Sequence, residues 1–250
     1  MKFDIITIFP EAFESYFNTS ILKRARLKKL VDIRVHDLRK FTHDKHKKVD
    51  DRPYGGGPGM VLKAEPIIKA LESLLKPSIS KSQFPYPAEP SGYRLISKQI
   101  RNSKSKKSKT AIILFSAAGK QFTQKMARDF SKKYHQIIMI AGHYEGVDTR
   151  ILQVIGNWEL EIMELSVGPY VLTGGEIPAM VVVDAISRHI KGVLGKEASL
   201  EEKRHGIGLP VYTRPEIFKW RAKQYKVPRI LLSGNHKKIE LWKKLKRLTK

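Results

Sequence analysis

Cysteine is absent from this 250-residue chain, and acidic residues are scarce. Without cysteine there is no disulfide framework, no thiolate metal site and no cysteine nucleophile. No apolar run approaches the roughly 20 residues that a membrane-spanning helix requires. The opening run KFDIITIF is too short and carries an acid, so it is neither a signal peptide nor a membrane span. We therefore expect a cytoplasmic protein with no membrane partner.

The shortage of acids leaves a large positive charge. Lys and Arg total 48 against 24 Asp and Glu, which gives a formal net charge of +24. A polyanion is the natural partner of such a surface, and RNA or DNA is the commonest one. Structural RNA-binding proteins are equally basic, so the charge does not separate an enzyme from a binding protein. The length and the hydrophobic content of 41% indicate a globular chain with a sizeable core.

Residues 50–60, DDRPYGGGPGM, form the most unusual segment of the chain. Glycine-rich runs are often flexible linkers. Here charged residues precede the glycines and Met60, Val61 and Leu62 follow them, which favours an anchored loop that approaches a ligand closely. Its N–H groups can form an anion-binding nest. The glycine spacing matches neither a P-loop nor a dinucleotide-binding fingerprint. Just before it, His43 and His46 flank Asp44; a metal site is conceivable there, but solvated or phosphate-facing side chains are favoured.

Apolar runs of strand length alternate with segments of helical periodicity. The predicted strands are residues 2–9, 31–38, 111–116, 137–141, 158–165 and 170–172, and the predicted helices are residues 13–29, 64–76, 122–133 and 179–190. This alternation is typical of a parallel sheet covered on both faces, so we predict an α/β fold. Glycine-bearing turns follow several strands. Because ligands bind beyond the carboxyl ends of parallel strands, we expect a pocket lined by backbone.

The rest of the chain is less regular. Residues 77–110 are rich in serine and lysine and read as a basic, partly disordered insertion, either a solvated spacer or a surface that touches nucleic acid. Residues 193–213 read as a linker. We therefore expect a catalytic domain over residues 1–192 and a small, basic helical domain over residues 214–250.

Seven segments carry a family resemblance, in order along almost the whole chain. They are IFPE (8–11), FTHDKHKKVDDRPYGGGPGM (41–60), GHYEGVD (142–148), VGPYVLTGGEIPAM (167–180), GVLGKEAS (192–199), YTRPE (212–216) and VPRILLSGNHKKI (227–239). On these segments the chain resembles the bacterial tRNA (guanine-N1)-methyltransferases that modify guanine at tRNA position 37, a family of the SPOUT class. The resemblance implies S-adenosylmethionine as methyl donor, a trefoil knot in the C-terminal part of the catalytic domain, an obligate homodimer and a requirement for Mg²⁺, whose ligands stay unknown.

The resemblance also implies a methyl-donor pocket built from the turns after the strands. The residues expected there are Leu114, Phe115, Ala117, Gly142, Tyr144, Glu145, Gly146, Val167, Gly168, Pro169, Tyr170, Val171, Leu172, Gly174, Gly175 and Pro178.

The implied reaction is attack by guanine N1 on a sulfonium methyl group. A base has to take the N1 proton, and a donor has to stabilise the charge that develops on O6. The resemblance assigns the donor role to Arg188, which alternatively only caps a helix. The family's catalytic aspartate aligns with Lys203, and a lysine cannot replace a carboxylate unless its pKa falls by several units. We therefore predict Glu202 as the base, with Glu201 as the alternative.

The remaining implied roles concern RNA. Glu145 is expected to hold the extruded guanine by its Watson–Crick edge. Arg24, His46, Asp50 and Arg52 are expected to meet the anticodon loop, and the basic C-terminal module of the partner subunit is expected to contact the stem. On this interpretation the glycine-rich loop faces tRNA, and the methyl donor belongs to the later glycine turns.

The predicted function is therefore that of a tRNA (guanine(37)-N1)-methyltransferase. Two alternatives stay open. Because of Lys203, the chain can be a catalytically weak or inactive tRNA-binding protein on the same scaffold. It can also be a related SPOUT methyltransferase with another RNA target, which the segment 41–60 disfavours.

Overall fold

The computed structural model of the chain describes residues 1–75, 110–158, 160–195 and 209–248. Two compact units divide the chain, Met1–Val193 and Leu194–Lys250. Nearly all of the predicted insertion 77–110 and most of the predicted linker 193–213 lie outside the described residues. Within the described part, no helix is long and apolar enough to cross a membrane.

A five-stranded sheet forms the centre of the first unit. Its strands are β1 (Lys2–Thr7), β2 (Asp32–Asp37), β5 (Thr110–Gln121), β6 (Gln136–Ile140) and β7 (Glu161–Ser166), while the short β3 (Asp50–Asp51) and β4 (Val61–Leu62) pair elsewhere. The order across the sheet is β2-β1-β6-β5-β7. Every pairing in it is parallel. The predicted parallel α/β architecture is confirmed.

Helices cover both faces of this sheet. They are α1 (Glu14–Phe17), α2 (Ser20–Leu27), α3 (Ala64–Leu75), α4 (Gln124–Lys133), α5 (Arg150–Gly156) and α6 (Glu176–Ser187), with 3₁₀ turns at Pro10–Phe13 and Leu38–Phe41. Alternate strand residues point to opposite faces. Phe3 and Ile5 join a core beneath α1, α2, α4 and α6. Ile6 and Ile138 join a second core beneath α3 and α5.

Three local predictions for the first unit need correction. The helix predicted over residues 13–29 is interrupted after Phe17, and Ser20 takes a left-handed φ of 50°. The strand predicted at residues 170–172 is wrong: Tyr170 and Val171 belong to an irregular, exposed segment. Its apolar residues border a cavity instead of joining the sheet. Helix α5 was not predicted, because its seven residues span only two helical turns.

The second unit contains a hairpin as well as helices. Strands β8 (Ile217–Trp220) and β9 (Lys223–Lys226) pair antiparallel. Helices α7 (Arg229–Leu232) and α8 (His236–Leu248) follow. The prediction of a purely helical module over residues 214–250 is therefore incomplete. The sequence does not predict the hairpin, because aromatic and basic residues also alternate in basic helices and the pairing of the two strands is not visible in the sequence.

Candidate active site

Three segments meet at one end of the sheet: a bulge within β5 and the segments that follow β6 and β7. Strand β5 loses its register with β7 between Phe115 and Lys120, so residues 116–119 bulge away from the sheet. The turn after β6 and the segment after β7 then join directly. The Gly175 N–H donates to the Gly142 carbonyl at 2.7 Å, and His143 bridges to Gly174. Segments that are distant in sequence thus form one wall.

A cavity of about 460 Å³ lies between these segments. This volume falls within the range of about 300–1,000 Å³ found for small-molecule sites. Every residue expected in the methyl-donor pocket lines it, except Gly168 and Pro169. Ten further residues border it: Ser116, Ala118, His143, Val147, Thr149, Leu152, Glu164, Leu165, Ser166 and Thr173. Ser116 and His143 belong to the turns 114–117 and 142–146 that the resemblance assigns to the pocket, whereas the other eight were not predicted.

Gly175 permits the close contact between two of the segments. A Cβ atom at this position would lie 2.5 Å from the Ala141 Cα and 2.8 Å from the Gly142 nitrogen. Both are backbone atoms, and Ala141 is anchored to β1 through a 2.9 Å bond from its N–H to the Ile6 carbonyl. The wall of the cavity therefore depends on glycine for steric reasons.

A buried polar network lies at the base of α6, beside the cavity. The Thr7 hydroxyl donates to Glu176 Oε1 at 2.7 Å, and Glu176 is only 8% exposed. His143 Nδ1 stands 3.9 Å from Glu176 Oε2, and this nitrogen is buried with no hydrogen-bond partner in the described structure. The His143 ring packs edge-on against Phe9 and Tyr144. A carboxylate and an imidazole are thus held next to the ligand space.

The glycine-rich loop is tied to the same cavity by backbone bonds. It forms the tip of the β3–β4 hairpin, and Gly55, Gly56, Gly57 and Gly59 all have positive φ. The Glu145 N–H donates to the Met60 carbonyl at 3.1 Å, and the Leu62 N–H donates to the Gly146 carbonyl at 2.9 Å.

Glu145 lies between this loop and the cavity. It lines the cavity, and a Cβ atom added at Gly59 would lie 2.5 Å from its Oε1. The side chain is therefore at the junction of the two regions, where groups bound in either one can reach it.

Arg188 occupies the C-terminal cap of α6, where its N–H donates to the Asp184 carbonyl at 3.1 Å. It is half-buried and is not among the described residues that line the cavity. The Tyr16 hydroxyl donates to the Asp184 carboxylate, and this hydrogen bond raises the pKa of Tyr16 to about 12. The bond fixes the last turn of α6. Glu201, Glu202 and Lys203 lie outside the described residues.

The residues expected to meet RNA occupy two elements. His46 and Arg52 are exposed and Asp50 is half-buried, all on or next to β3, whereas Arg24 is exposed on α2. Beside them, the Asp51 carboxylate accepts from the Arg52 N–H at 2.9 Å and pairs with Lys63 at 3.3 Å. These contacts lower the pKa of Asp51.

Asp44 supports a turn, and this explains its place between two histidines. Its carboxylate accepts from the backbone N–H groups of Lys48 and His46 at 3.1 and 3.0 Å. These bonds, with that to Lys48 the larger effect, lower the pKa of Asp44. Across the described residues, no group of three or more His, Cys, Asp or Glu side chains is arranged to hold a metal ion.

The fold places a cavity of the size of a small-molecule site at one end of the parallel sheet of an α/β protein. The family model described as tRNA (Guanine-1)-methyltransferase TrmD matches residues 1–108 and 91–250. The chain belongs to this family.

Relatives named tRNA (guanine-N(1)-)-methyltransferase match nearly the whole chain. The protein from Dictyoglomus turgidum is 46% identical over 253 residues, covering 100% of this chain and 86% of that protein. The protein from Carboxydothermus hydrogenoformans is 44% identical, covering 98% of this chain and 81% of that protein. The protein from Dehalococcoides mccartyi strain 195 is 42% identical, with shares of 98% and 84%.

Proposed function

We propose that the chain transfers a methyl group from S-adenosylmethionine to N1 of guanine in tRNA, at position 37 of the anticodon loop. One observation carries the proposal: a cavity built from three strand-end segments in a chain that matches tRNA (guanine-N1)-methyltransferases throughout its length. The binding-only alternative rests on Lys203 and on the net charge of +24, and the comparisons give it no support.

The cavity suits the methyl donor. Its volume fits a ligand of nucleoside size, and its glycine turns expose N–H and C=O groups to the edges of adenine and ribose. When bound, the donor supplies an electrophilic methyl group on a sulfonium sulfur. The proposal includes the trefoil knot that the family resemblance implies. In this region the segment after β7 returns to the turn after β6 and joins it through Gly175 and Gly142.

The chain's own groups then act on guanine. Glu145 lies between the cavity and the glycine-rich loop. In our proposal its side chain holds the Watson–Crick edge of the guanine. Arg188 stabilises the charge that develops on O6, a task for which a permanently charged guanidinium is suited. Glu202, or else Glu201, takes the N1 proton.

The assay for the proposed reaction is the incorporation of labelled methyl groups into unmodified tRNA. We expect transfer to tRNA with guanine at position 37 and none to the same tRNA with adenine there. Adenine carries an amino group in place of O6 and has no proton on N1. Equal transfer to both RNAs would overturn the assignment of the target. No transfer to either would overturn the activity.

Single-turnover measurements test the base. Glu202→Gln should slow transfer by about 10²–10⁴-fold if this carboxylate removes the proton. Glu201→Gln tests the alternative: a loss of this size in that variant instead would assign the proton transfer to Glu201. Full activity in the double variant would eliminate both carboxylates.

The proposal includes a homodimer. Ile177 and Val181, one turn apart on α6, are 55% and 43% exposed, and Val171 in the preceding segment is 84% exposed. Apolar side chains that face outward beside a ligand site are typical of an interface. In sedimentation, we expect a dimer for the wild type and a monomer for Val181→Lys with unchanged circular dichroism. A monomeric wild type would refute the dimer.

Mg²⁺ is the second cofactor in the proposal. This ion usually keeps several waters and binds through one or two carboxylates together with substrate oxygens, so a protein cage is not required. Addition of a chelator should abolish methyl transfer, and Mg²⁺ should restore it. Activity that survives chelation would exclude the requirement.

The basic surface is proposed to hold tRNA, with Arg24, His46, Asp50 and Arg52 at the anticodon loop. Because phosphate contacts release counterions, affinity for tRNA should fall steeply as salt rises. A flat salt dependence would contradict this role.

A further inference from the structure

The hairpin of the second unit has two chemically different faces. Phe218 lies opposite Tyr225, and Trp220 lies opposite Lys223. The two-residue turn between the strands has a φ of 54° at Arg221, the left-handed geometry that short hairpins use. Side chains alternate between faces along a strand. Phe218, Trp220 and Tyr225 therefore share one face, which we call the aromatic face.

The three rings of the aromatic face form a contiguous and accessible surface. Phe218, Trp220 and Tyr225 are 54%, 60% and 51% exposed. The Phe218 and Trp220 rings lie 6.5 Å apart and only 15° from parallel, and Phe218 and Tyr225 lie 6.1 Å apart. Large apolar groups clustered on a surface mark an interaction site.

Cations lie close to these rings. Lys223 is on the aromatic face opposite Trp220, Arg221 is in the turn, and Lys219 and Lys226 are on the opposite face of the hairpin. The run IFKWRAKQYK contains no acid. All four cations are exposed. The ion pairs found in the described part of the chain do not involve them. Within the described residues, positive charge is thus held next to a flat apolar surface with no ion pair to compensate it.

This combination distinguishes between classes of partner. Lysine is depleted in protein–protein interfaces. Unpaired nucleotides offer a base that stacks on an aromatic ring and a phosphate that attracts a cation. Bases within a duplex are already stacked on one another and offer no free face of this kind.

We propose that the aromatic face stacks unpaired bases of the RNA substrate, while Lys223 on the same face holds a neighbouring phosphate. This inference rests on the proposed function, since the RNA is the tRNA that the enzyme methylates. The resemblance already implies that the C-terminal module contacts the tRNA stem; the inference adds a second kind of contact in this module, the stacking of unpaired bases on aromatic rings.

The test separates stacking from charge. Phe218→Ala, Trp220→Ala and Tyr225→Ala should each weaken binding of unmodified tRNA by about tenfold. The slope of affinity against salt should stay that of the wild type. Lys223→Ala should instead make the slope shallower. Gln224→Ala, on the opposite face of the hairpin, is the matched control and should bind as the wild type does.

Two readouts keep the inference apart from the proposed function. Methyl transfer by the wild type tests the function alone. If the wild type transfers methyl groups and the three aromatic variants bind tRNA normally, the stacking proposal is overturned and the function stands. If those variants change the sedimentation or the thermal unfolding of the protein while tRNA affinity is unaltered, the face is covered by protein and the proposal is again overturned. Weakened binding with unchanged folding supports it.

Discussion

Replacing Gly175 by alanine should separate the two segments that form the wall of the cavity. The backbone of Gly175 has φ −85° and ψ 0°, a conformation that alanine accepts. Only the contacts oppose the substitution: the new Cβ atom would lie 2.5 Å from the Ala141 Cα and 2.8 Å from the Gly142 nitrogen. Because these are backbone atoms anchored to the sheet, the clash cannot be relieved by a side-chain rotation.

The expected cost is that of overpacking, about 1–3 kcal/mol in the free energy of unfolding. For a domain of this size, each kcal/mol lowers the melting temperature by about 2–4 °C. The 2.7 Å bond from the Gly175 N–H to the Gly142 carbonyl should lengthen as the segments part. On the proposed function, affinity for S-adenosylmethionine should fall as well, measured by calorimetry.

Gly156→Ala is the control for this substitution. Gly156 ends α5, and a Cβ atom there would meet no atom within 4 Å. Alanine at such a position leaves stability unchanged or raises it by up to about 1 kcal/mol. Urea unfolding of both variants decides the question. If Gly175→Ala proves no less stable than Gly156→Ala, the steric explanation of the wall is wrong.

Other contacts give shorter predictions. Thr7→Val removes the hydroxyl that donates to the buried Glu176, so the free energy of unfolding should fall by about 1–3 kcal/mol in urea; an unchanged value would deny the bond any role. Tyr16→Phe removes the donor to Asp184. Since that bond raises the pKa of Tyr16 to about 12 from its ordinary 10.0, the stability that it contributes is complete below pH 10 and lost as pH rises through about 12, so melting curves of the two proteins should converge there. Burial raises the pKa of Asp4, but three side-chain hydrogen bonds outweigh burial and lower it. Asp4→Asn should therefore destabilise the protein at pH values above the ordinary pKa of 3.8, and the difference in stability from the wild type should shrink as the pH falls below it. A difference that does not change with pH would show that the hydrogen bonds do not stabilise the charged form.

The local pattern of apolar residues was sufficient to predict the parallel sheet. Strands β5 and β6 are continuous apolar runs because both their faces are covered, and Ile112 and Ile138 are fully buried. The cavity was predictable for a related reason, since glycines that follow parallel strands lie at one end of the sheet. The run at residues 170–172 was misread because β-branched and aromatic residues suit a cavity wall as well as a strand.

Long-range partners were beyond sequence reasoning. Thr7 and Glu176 are separated by 169 residues and meet only because the fold brings β1 against α6. No periodicity marks such a pair. The aromatic face is a different case: its residues are close in sequence, but their common orientation depends on the register that sets Phe218 opposite Tyr225.

Backbone hydrogen bonds couple the glycine-rich loop to the turn after β6. Glu145, Gly146 and Asp148 all share backbone bonds with Met60 or Leu62, so a displacement of the loop is transmitted to the turn that lines the cavity. Linkage requires any coupling between two ligands to be reciprocal and equal in size. On the proposed function, tRNA and the methyl donor should each change the affinity of the other by the same factor, as titrations of each ligand with and without the other would reveal. The glycine-rich loop would then couple the binding of the two substrates.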